Sequence, residues 1–379
     1  MQDFSCLGWK RVLYFKEKEI GEMVKLFGAE YSKDELLARV GDISQIAGVR
    51  LGMLDDGAER GVRTVDFRTG SGLNFTVLPD RGMDISTAEF NGQALAWRSA
   101  VGDKSPAFYE EPGMGWLRNF GGGLVVTCGL TYAGHVSEDQ GKKLGLHGRV
   151  SNIPASNVYA DAAWDGDSYV MWVQGKVREV SVFGENVEMS RRITAKMGEA
   201  KLWIHDKVTN LGHEEIEHMI IYHCNMGFPV VDEGSKLIAN VKEYWPRDAE
   251  SEKEKELYAS IPAPIKGFIE RVYYFDLKED AQGNVGVAMV NPKFNNGQGL
   301  GVYLRYKKSE LPKFMEWKNP RAGMNVVGIE PANCWVEGRG KERARGLEFL
   351  KPGETREYHL EIGVLDSQQA IRDFEAENS

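Results

Sequence analysis

From about residue 46 onward, apolar and polar residues alternate with a period of two, the spacing of a half-buried β-strand. Segment 300–306 places Leu300, Val302, Leu304 and Tyr306 on one face and Gly301, Tyr303 and Arg305 on the other. Segment 357–364 turns Tyr358, Leu360, Ile362 and Val364 inward and Glu357, His359 and Glu361 outward. Between 168 and 225 several such runs follow one another. They are broken by Phe183-Gly184-Glu185-Asn186, Met197-Gly198-Glu199-Ala200 and Asn210-Leu211-Gly212. Breaks this short join antiparallel neighbours, because a parallel pair needs a crossover of a dozen or more residues. No fixed-period repeat is present, which argues against propellers and solenoids. The pattern predicts an all-β fold, a large antiparallel β-sandwich over residues 46–379.

Helical periodicity is confined to three places. Ser32-Lys33-Asp34-Glu35 matches a capping box, with Leu36, Leu37 and Val40 as an apolar stripe and Gly41 as a stop. Residues 1–45 thus read as a small helical appendage that packs on the main domain or on a partner subunit, so a homodimer is allowed. The run Asp248 to Leu257 carries helix-type ion pairs on a solvated face. In the tail after Asp366, Ile371 and Phe374 are placed to dock.

Composition narrows the function. Gly is 43 of 379 residues but Pro only 13, which fits many tight turns and bulges rather than a low-complexity chain. The net charge of −9 repels a nucleic-acid duplex and an anionic membrane, so neither is expected as a partner. Cys6, Cys128, Cys224 and Cys334 lie far apart with no C-x-x-C pair, against a zinc ribbon, a dithiol redox site or a disulfide-stapled module. The N-terminal string lacks a basic-then-apolar signal pattern and no apolar run approaches about 18 residues. A reduced, cytoplasmic protein is the expectation.

The common catalytic motifs are missing: no P-loop, no H-E-x-x-H, no G-x-S-x-G. Gly121-Gly122-Gly123 suits close backbone packing or room for a ligand. None of the seven histidines forms an H-x-H pair, and His213, His218 and His223, five apart, fall on alternating strand faces, so no metal site is indicated. His147 sits in Gly-Leu-His-Gly-Arg, with Arg149 two residues on; it is a turn residue or a catalyst. His223 shares a strand face with Met219 and Ile221; it is a core residue or a catalyst. Glu330 closes the apolar strand Met324–Ile329 and precedes Pro331. A carboxylate there either points to solvent or, if buried, is raised towards the pKa of a general base. Asp80, Arg81 and Asp84 read as a turn with a local ion pair. Trp116-Leu117-Arg118-Asn119-Phe120 offers two aromatics and a cation that suit a sugar ring or a sandwich rim.

Together the strings LPDRGMDI (78–85), WLRNFGGGLVVTCGL (116–130), GLHGRVSNIPA (145–155), YHCNMGFPVVDEG (222–234) and GIEPANC (328–334) resemble the galactose mutarotase (aldose 1-epimerase) superfamily, and most closely its bacterial epimerase-like branch. The resemblance covers roughly residues 46–365 and implies a large twisted antiparallel sandwich. It implies Glu330 as general base and His223 as general acid, placed across a sugar ring as carboxylate and imidazolium. It implies His147 to polarise the sugar, Arg118 as a hydroxyl or anion ligand, and Asp248 or Asp232 as the binding aspartate. Arg81, Arg149 and Lys318 are further cations that suit an acidic or phosphorylated sugar, or serve structural ion pairs. Gly145-Leu146 replaces the asparagine-rich string of well-characterised mutarotases, which leaves the sugar open. The implied chemistry is cofactor-free interconversion of anomers by acid/base ring opening. Its rivals are a non-catalytic carbohydrate-binding or regulatory protein and another sugar isomerase or lyase on the same scaffold.

Overall fold

The computed structural model describes residues 23–378. Cys6 and the first half of the N-terminal appendage lie outside them.

The strands assemble into three principal sheets. An eight-stranded antiparallel sheet runs in the order Ser156–Asp165, Ser168–Val180, Asn186–Lys196, Lys201–Asn210, Thr355–Leu365, Leu300–Lys307, Asn284–Asn291 and Lys236–Ala239. A seven-stranded sheet runs Val241–Pro246, Arg271–Leu277, Lys313–Asn319, Val326–Ala332, Ile216–Met226 and Glu348–Leu350, with Val126–Leu130 also paired to Ile216–Met226. Five strands between Gly48 and Ala94 form the third. Two of the three turn segments read from the sequence join antiparallel neighbours in the eight-stranded sheet. The third does not: after Asn210 the chain crosses to the seven-stranded sheet, and Thr355–Leu365 pairs with Lys201–Asn210 instead. Asn210 makes this crossing by donating to the carbonyls of Glu214 and Leu350.

The alternation explains the layers. In Asn186–Lys196 every second residue is buried, and those residues join inward-facing ones of the other sheets in the main core. Ile216–Met226 is different, being buried on both faces from His218 on. Its Ile220, Tyr222 and Cys224 enter the main core. Its Met219 and Ile221 enter a second, aromatic-rich cluster on the opposite side of the seven-stranded sheet, with Trp97, Trp116, Phe120, Cys128, Tyr274 and Met315. At about 25 cal/mol per Å2 of apolar surface removed from water, such a second cluster adds substantially to stability. It also provides a dry face on which side chains are held rigidly.

One buried cation fastens the layers. The guanidinium of Arg191, with no exposed side-chain area, binds Asp84 at 2.8 Å, Asp206 at 2.6 Å and the Thr127 hydroxyl at 2.8 Å, while Tyr222 donates to Asp206 at 2.6 Å. The local Asp–Arg pair expected at 80–84 does not form. Asp80 pairs with Arg63 and Asp84 with Arg191. Arg81 donates to the carbonyls of Ser151, Lys104 and Asn119.

The appendage contains a short hairpin, Val24–Leu26 with Ala29–Tyr31, and a helix, Lys33–Leu37, in which Ser32 and Glu35 form the capping box. The helix stops at Ala38, before Gly41, and Val24, Leu26 and Leu36 join the main core. The C-terminal helix Gln368–Glu377 buries Ile371 and Phe374 on the outside of the eight-stranded sheet, as the tail's pattern predicts. The charged run holds the short helix Ala249–Glu252, capped by Asp248.

Candidate active site

His223 and Glu330 lie on neighbouring strands of the seven-stranded sheet. Cys224 pairs with Ile329 and Ile221 with Ala332, so the antiparallel register sets His223 opposite Glu330. The regular pairing is interrupted at this place, where Pro331 has no N–H to offer the ladder. His223 Nε2 and Glu330 Oε1 approach to 3.3 Å, with side chains only 6% and 4% exposed. Gly328 keeps the space open: a Cβ there would stand 2.7 Å from Glu330 Oε1 and 3.2 Å from His223 Cε1.

His147 reaches the same place from a loop. Its backbone takes φ of 58°, uncommon for a residue with a side chain. Its N–H donates to the Gly134 carbonyl at 2.8 Å. Gly148 follows at φ 77°, and a Cβ there would lie 2.3 Å from the carbonyl oxygens of both Gly129 and Tyr132, so only glycine fits. The rings of His147 and His223 meet at 5.7 Å, nearly perpendicular. Trp116 packs on His147 at 4.7 Å, and Phe120 and Trp317 flank His223 at 5.5 and 5.4 Å. The three glycines 121–123 allow this wall to close. Added Cβ atoms there would come within 2.2–2.6 Å of the backbone oxygens of Gly102, Trp97 and Ile85.

Burial governs the electrostatics. Desolvation, with a smaller contribution from Glu270, raises the Glu330 carboxyl to about 8. Desolvation lowers His223 to about 4 and His147 well below the usual imidazole range. Both shifts favour the neutral forms, a carboxylic acid beside imidazoles, whereas the sequence resemblance implies a carboxylate and an imidazolium. Three polar atoms here are buried without a hydrogen-bond partner: His147 Nδ1, His223 Nδ1 and Glu330 Oε1. Such atoms are rare in native proteins and are suited to meet a ligand.

The other sequence candidates are placed as follows. Arg118 stands exposed and pairs with Glu110 at 3.1 Å. Arg149 is held by Glu111 and Glu185 at 2.7 and 2.6 Å. Lys318 turns to the carbonyls of Leu257 and Ser260, and Arg81 is committed to its three carbonyls. Asp248 caps its helix and binds Arg247 at 2.8 Å. Asp232 accepts from the Glu233 N–H in a turn. Sequence reasoning overlooked Trp317, Glu270, Arg247 and Trp97. Trp317 donates to Glu270 at 2.7 Å, and Glu270 meets Arg247 at 3.3 Å. Strand alternation was the available signal for Trp317: in Lys313–Asn319 it faces the pair, whereas Lys318 faces away.

No helix among the described residues is long and apolar enough to cross a membrane. No curated protein matches the sequence. Among solved structures, a Klebsiella pneumoniae protein provisionally named an aldose 1-epimerase is similar at 25% identity and TM-score 0.83, over 91% of this chain and 89% of that one. A galactose mutarotase-like protein of Clostridium acetobutylicum is similar at 15% identity and TM-score 0.57, over 85% and 99%. Galactose 1-epimerase of Lactobacillus acidophilus is similar at 12% identity and TM-score 0.51, over 85% and 100%. These likenesses establish the galactose mutarotase-like sandwich as the fold. Residues 59–364 match the family described as a domain of unknown function, DUF4432, and the chain belongs to that family.

Proposed function

We propose that this protein is an aldose 1-epimerase-type isomerase that interconverts the anomers of a sugar. The observation that carries this reading is the His223–Glu330 pair, 3.3 Å apart, with Phe120 and Trp317 against the imidazole. Opening a pyranose removes the proton of the anomeric hydroxyl and adds one to the ring oxygen. Both oxygens are bonded to the same carbon, so acid and base must stand side by side.

Proton counting supports the assignment. Between about pH 4 and 8 the pair holds one proton. When sugar oxygens enter, the pair's proton passes from Glu330 to His223; the Glu330 carboxylate then takes the hydroxyl proton and His223 gives its proton to the ring oxygen. The opened aldehyde then faces a carboxylic acid and a neutral imidazole, the distribution that the dry site favours. Rotation about the bond to the anomeric carbon and reclosure reverse the transfers and invert that carbon. Each positioned transfer is worth typically about 10²–10⁴-fold. His147 is placed to bind a hydroxyl, and the indole and phenyl faces suit the apolar face of the ring.

Arg81, Arg149 and Lys318 are engaged by protein partners, which supports a neutral aldose. The buried thiols of Cys128, Cys224 and Cys334 are unpaired, which suits work in the cytoplasm. The test is anomer exchange followed by NMR saturation transfer across a panel of neutral and acidic aldoses. The parent exchanges at least one of them above the uncatalysed rate, and Glu330→Gln does not. Calorimetric binding without exchange supports a carbohydrate-binding protein instead, and a new product supports another isomerase or a lyase.

A further inference from the structure

We propose a transition-metal site, distinct from the candidate active site, formed by His205, Glu357 and His359 on the outer face of the eight-stranded sheet. His205 and His359 are direct cross-strand partners, and Glu357 lies two residues before His359 on the same face. Their donor atoms all lie within 4.8 Å of one another. The two imidazoles are nearly parallel, 19° apart, with centroids at 4.3 Å. His205 Nε2 is 2.7 Å from Glu357 Oε2. A tetrahedral zinc ion, with metal–nitrogen lengths of about 2.0–2.1 Å, needs its donors roughly 3.3 Å apart. The observed separations, 2.7 Å for His205 Nε2 to Glu357 Oε2 and no more than 4.8 Å for any donor pair, bracket that spacing.

The surroundings are those of a ligating histidine. Glu310 accepts from both the backbone N–H of His359, at 2.7 Å, and its Nδ1, at 2.9 Å. That contact puts the ring proton on Nδ1 and leaves the Nε2 lone pair free. Nε2 of His359 is buried and has no hydrogen-bond partner. A carboxylate that orients the far nitrogen of an imidazole is the usual outer support of a metal ligand. Lys207 binds Glu357 Oε1 at 2.9 Å and holds the carboxylate in place, while Oε2 meets His205 Nε2 in a hydrogen bond that the ion would replace. The side chains of His205, Glu357 and His359 are 20%, 42% and 38% exposed, so the ion has a path in and water can complete the coordination. Imidazole and carboxylate together select zinc, cobalt or nickel over calcium and magnesium. The sequence hides this set, because His205 and His359 are far apart in the chain and only the strand pairing joins them.

The experiment is calorimetric titration of the metal-stripped full chain with Zn2+, with Co2+ absorption spectra as a second readout. The expected result is one equivalent bound, visible d–d bands of a four-coordinate nitrogen/oxygen site, and a melting temperature that rises with Zn2+. His205→Gln and His359→Gln, at partly exposed positions, retain the fold by circular dichroism and lose the stoichiometric binding. Glu310→Gln retains the site but weakens it by about 10–100-fold. Absence of one-equivalent binding by the parent overturns the proposal. So does binding that persists unchanged in His359→Gln, which assigns the ion to other histidines such as His135 or His213.

Discussion

Replacing Glu330 by Gln removes a charge that folding disfavours, so the same change should abolish exchange and stabilise the protein. In the unfolded chain this carboxyl titrates near 4.5; in the fold it is raised to about 8 by desolvation, with Glu270 adding and Arg247 opposing. Between those two values the native state binds more protons than the unfolded state, so stability falls as pH rises. The full contribution is present below about pH 4.5 and is lost as pH climbs to about 8. One pKa unit corresponds to about 1.4 kcal/mol, so the loss at pH 8 relative to pH 5 is about 3 kcal/mol from this group. Gln has nearly the same shape and does not titrate. The assay is urea unfolding of parent and Glu330→Gln at pH 5 and pH 8, with anomer exchange measured on the same samples. The variant should gain about 3 kcal/mol over the parent between the two pH values. Glu316, also buried and raised to about 8, remains in both proteins and cancels. A stability difference that is the same at both pH values would mean that Glu330 ionises normally, and the dry-site reasoning would fail.

Three further outcomes follow from the same geometry. The pH profile of kcat/KM should be bell-shaped, falling below about 4 as His223 and Glu330 both gain protons and above about 8 as both lose them; a flat profile from pH 4 to 9 excludes a shared proton. Gly328→Ala forces a methyl against Glu330 Oε1 and His223 Cε1, and a displacement of that order should cost about 10²-fold in exchange rate with the fold intact; activity within threefold of the parent rejects the tight placement. Arg191→Met strands Asp84 and Asp206 in the core and should cost about 3–5 kcal/mol in urea unfolding, with part recovered by adding Asp206→Asn; a loss below 1 kcal/mol shows the guanidinium is dispensable.

The sheets were legible in the sequence where a strand separates core from water. Thr355–Leu365 buries Tyr358, Leu360 and Ile362 and exposes Glu357, and its alternation states this directly. Ile216–Met226 carries apolar residues on both faces, so period two alone cannot tell which face carries the His223–Glu330 pair. Glu330 and His223 could be named from strand-end context and from the family strings, but their adjacency depends on a register between segments a hundred residues apart. The roles of Arg81, Asp84 and Arg149 depend on partners equally distant. Charge alone puts Lys318 in a sugar site, but alternation along Lys313–Asn319 turns Trp317, not Lys318, toward the pair.

The pair's position also makes the chemistry depend on sheet register. A slip of one residue between Ile216–Met226 and Val326–Ala332 would turn Glu330 away from His223 and into the main core. Asn333 fixes one end of this pairing: Ile220 N–H donates to its Oδ1 at 2.7 Å, and its own N–H donates to the Ile220 carbonyl at 3.1 Å. Near the other end, Asn225 donates to the carbonyls of Gly123 and His223. Between these clamps lie the interrupted ladder, Pro331 and Gly328, which has no side chain to fill the space beside the pair. The backbone there gives up hydrogen bonds and side-chain packing, and what occupies the freed space is an acid–base pair with unsatisfied atoms. A segment held firmly at both ends and left incomplete in the middle makes little sense as a device for stability alone. On the proposed function it is a rigid frame that presents a proton donor and a proton acceptor to two oxygens of one carbon.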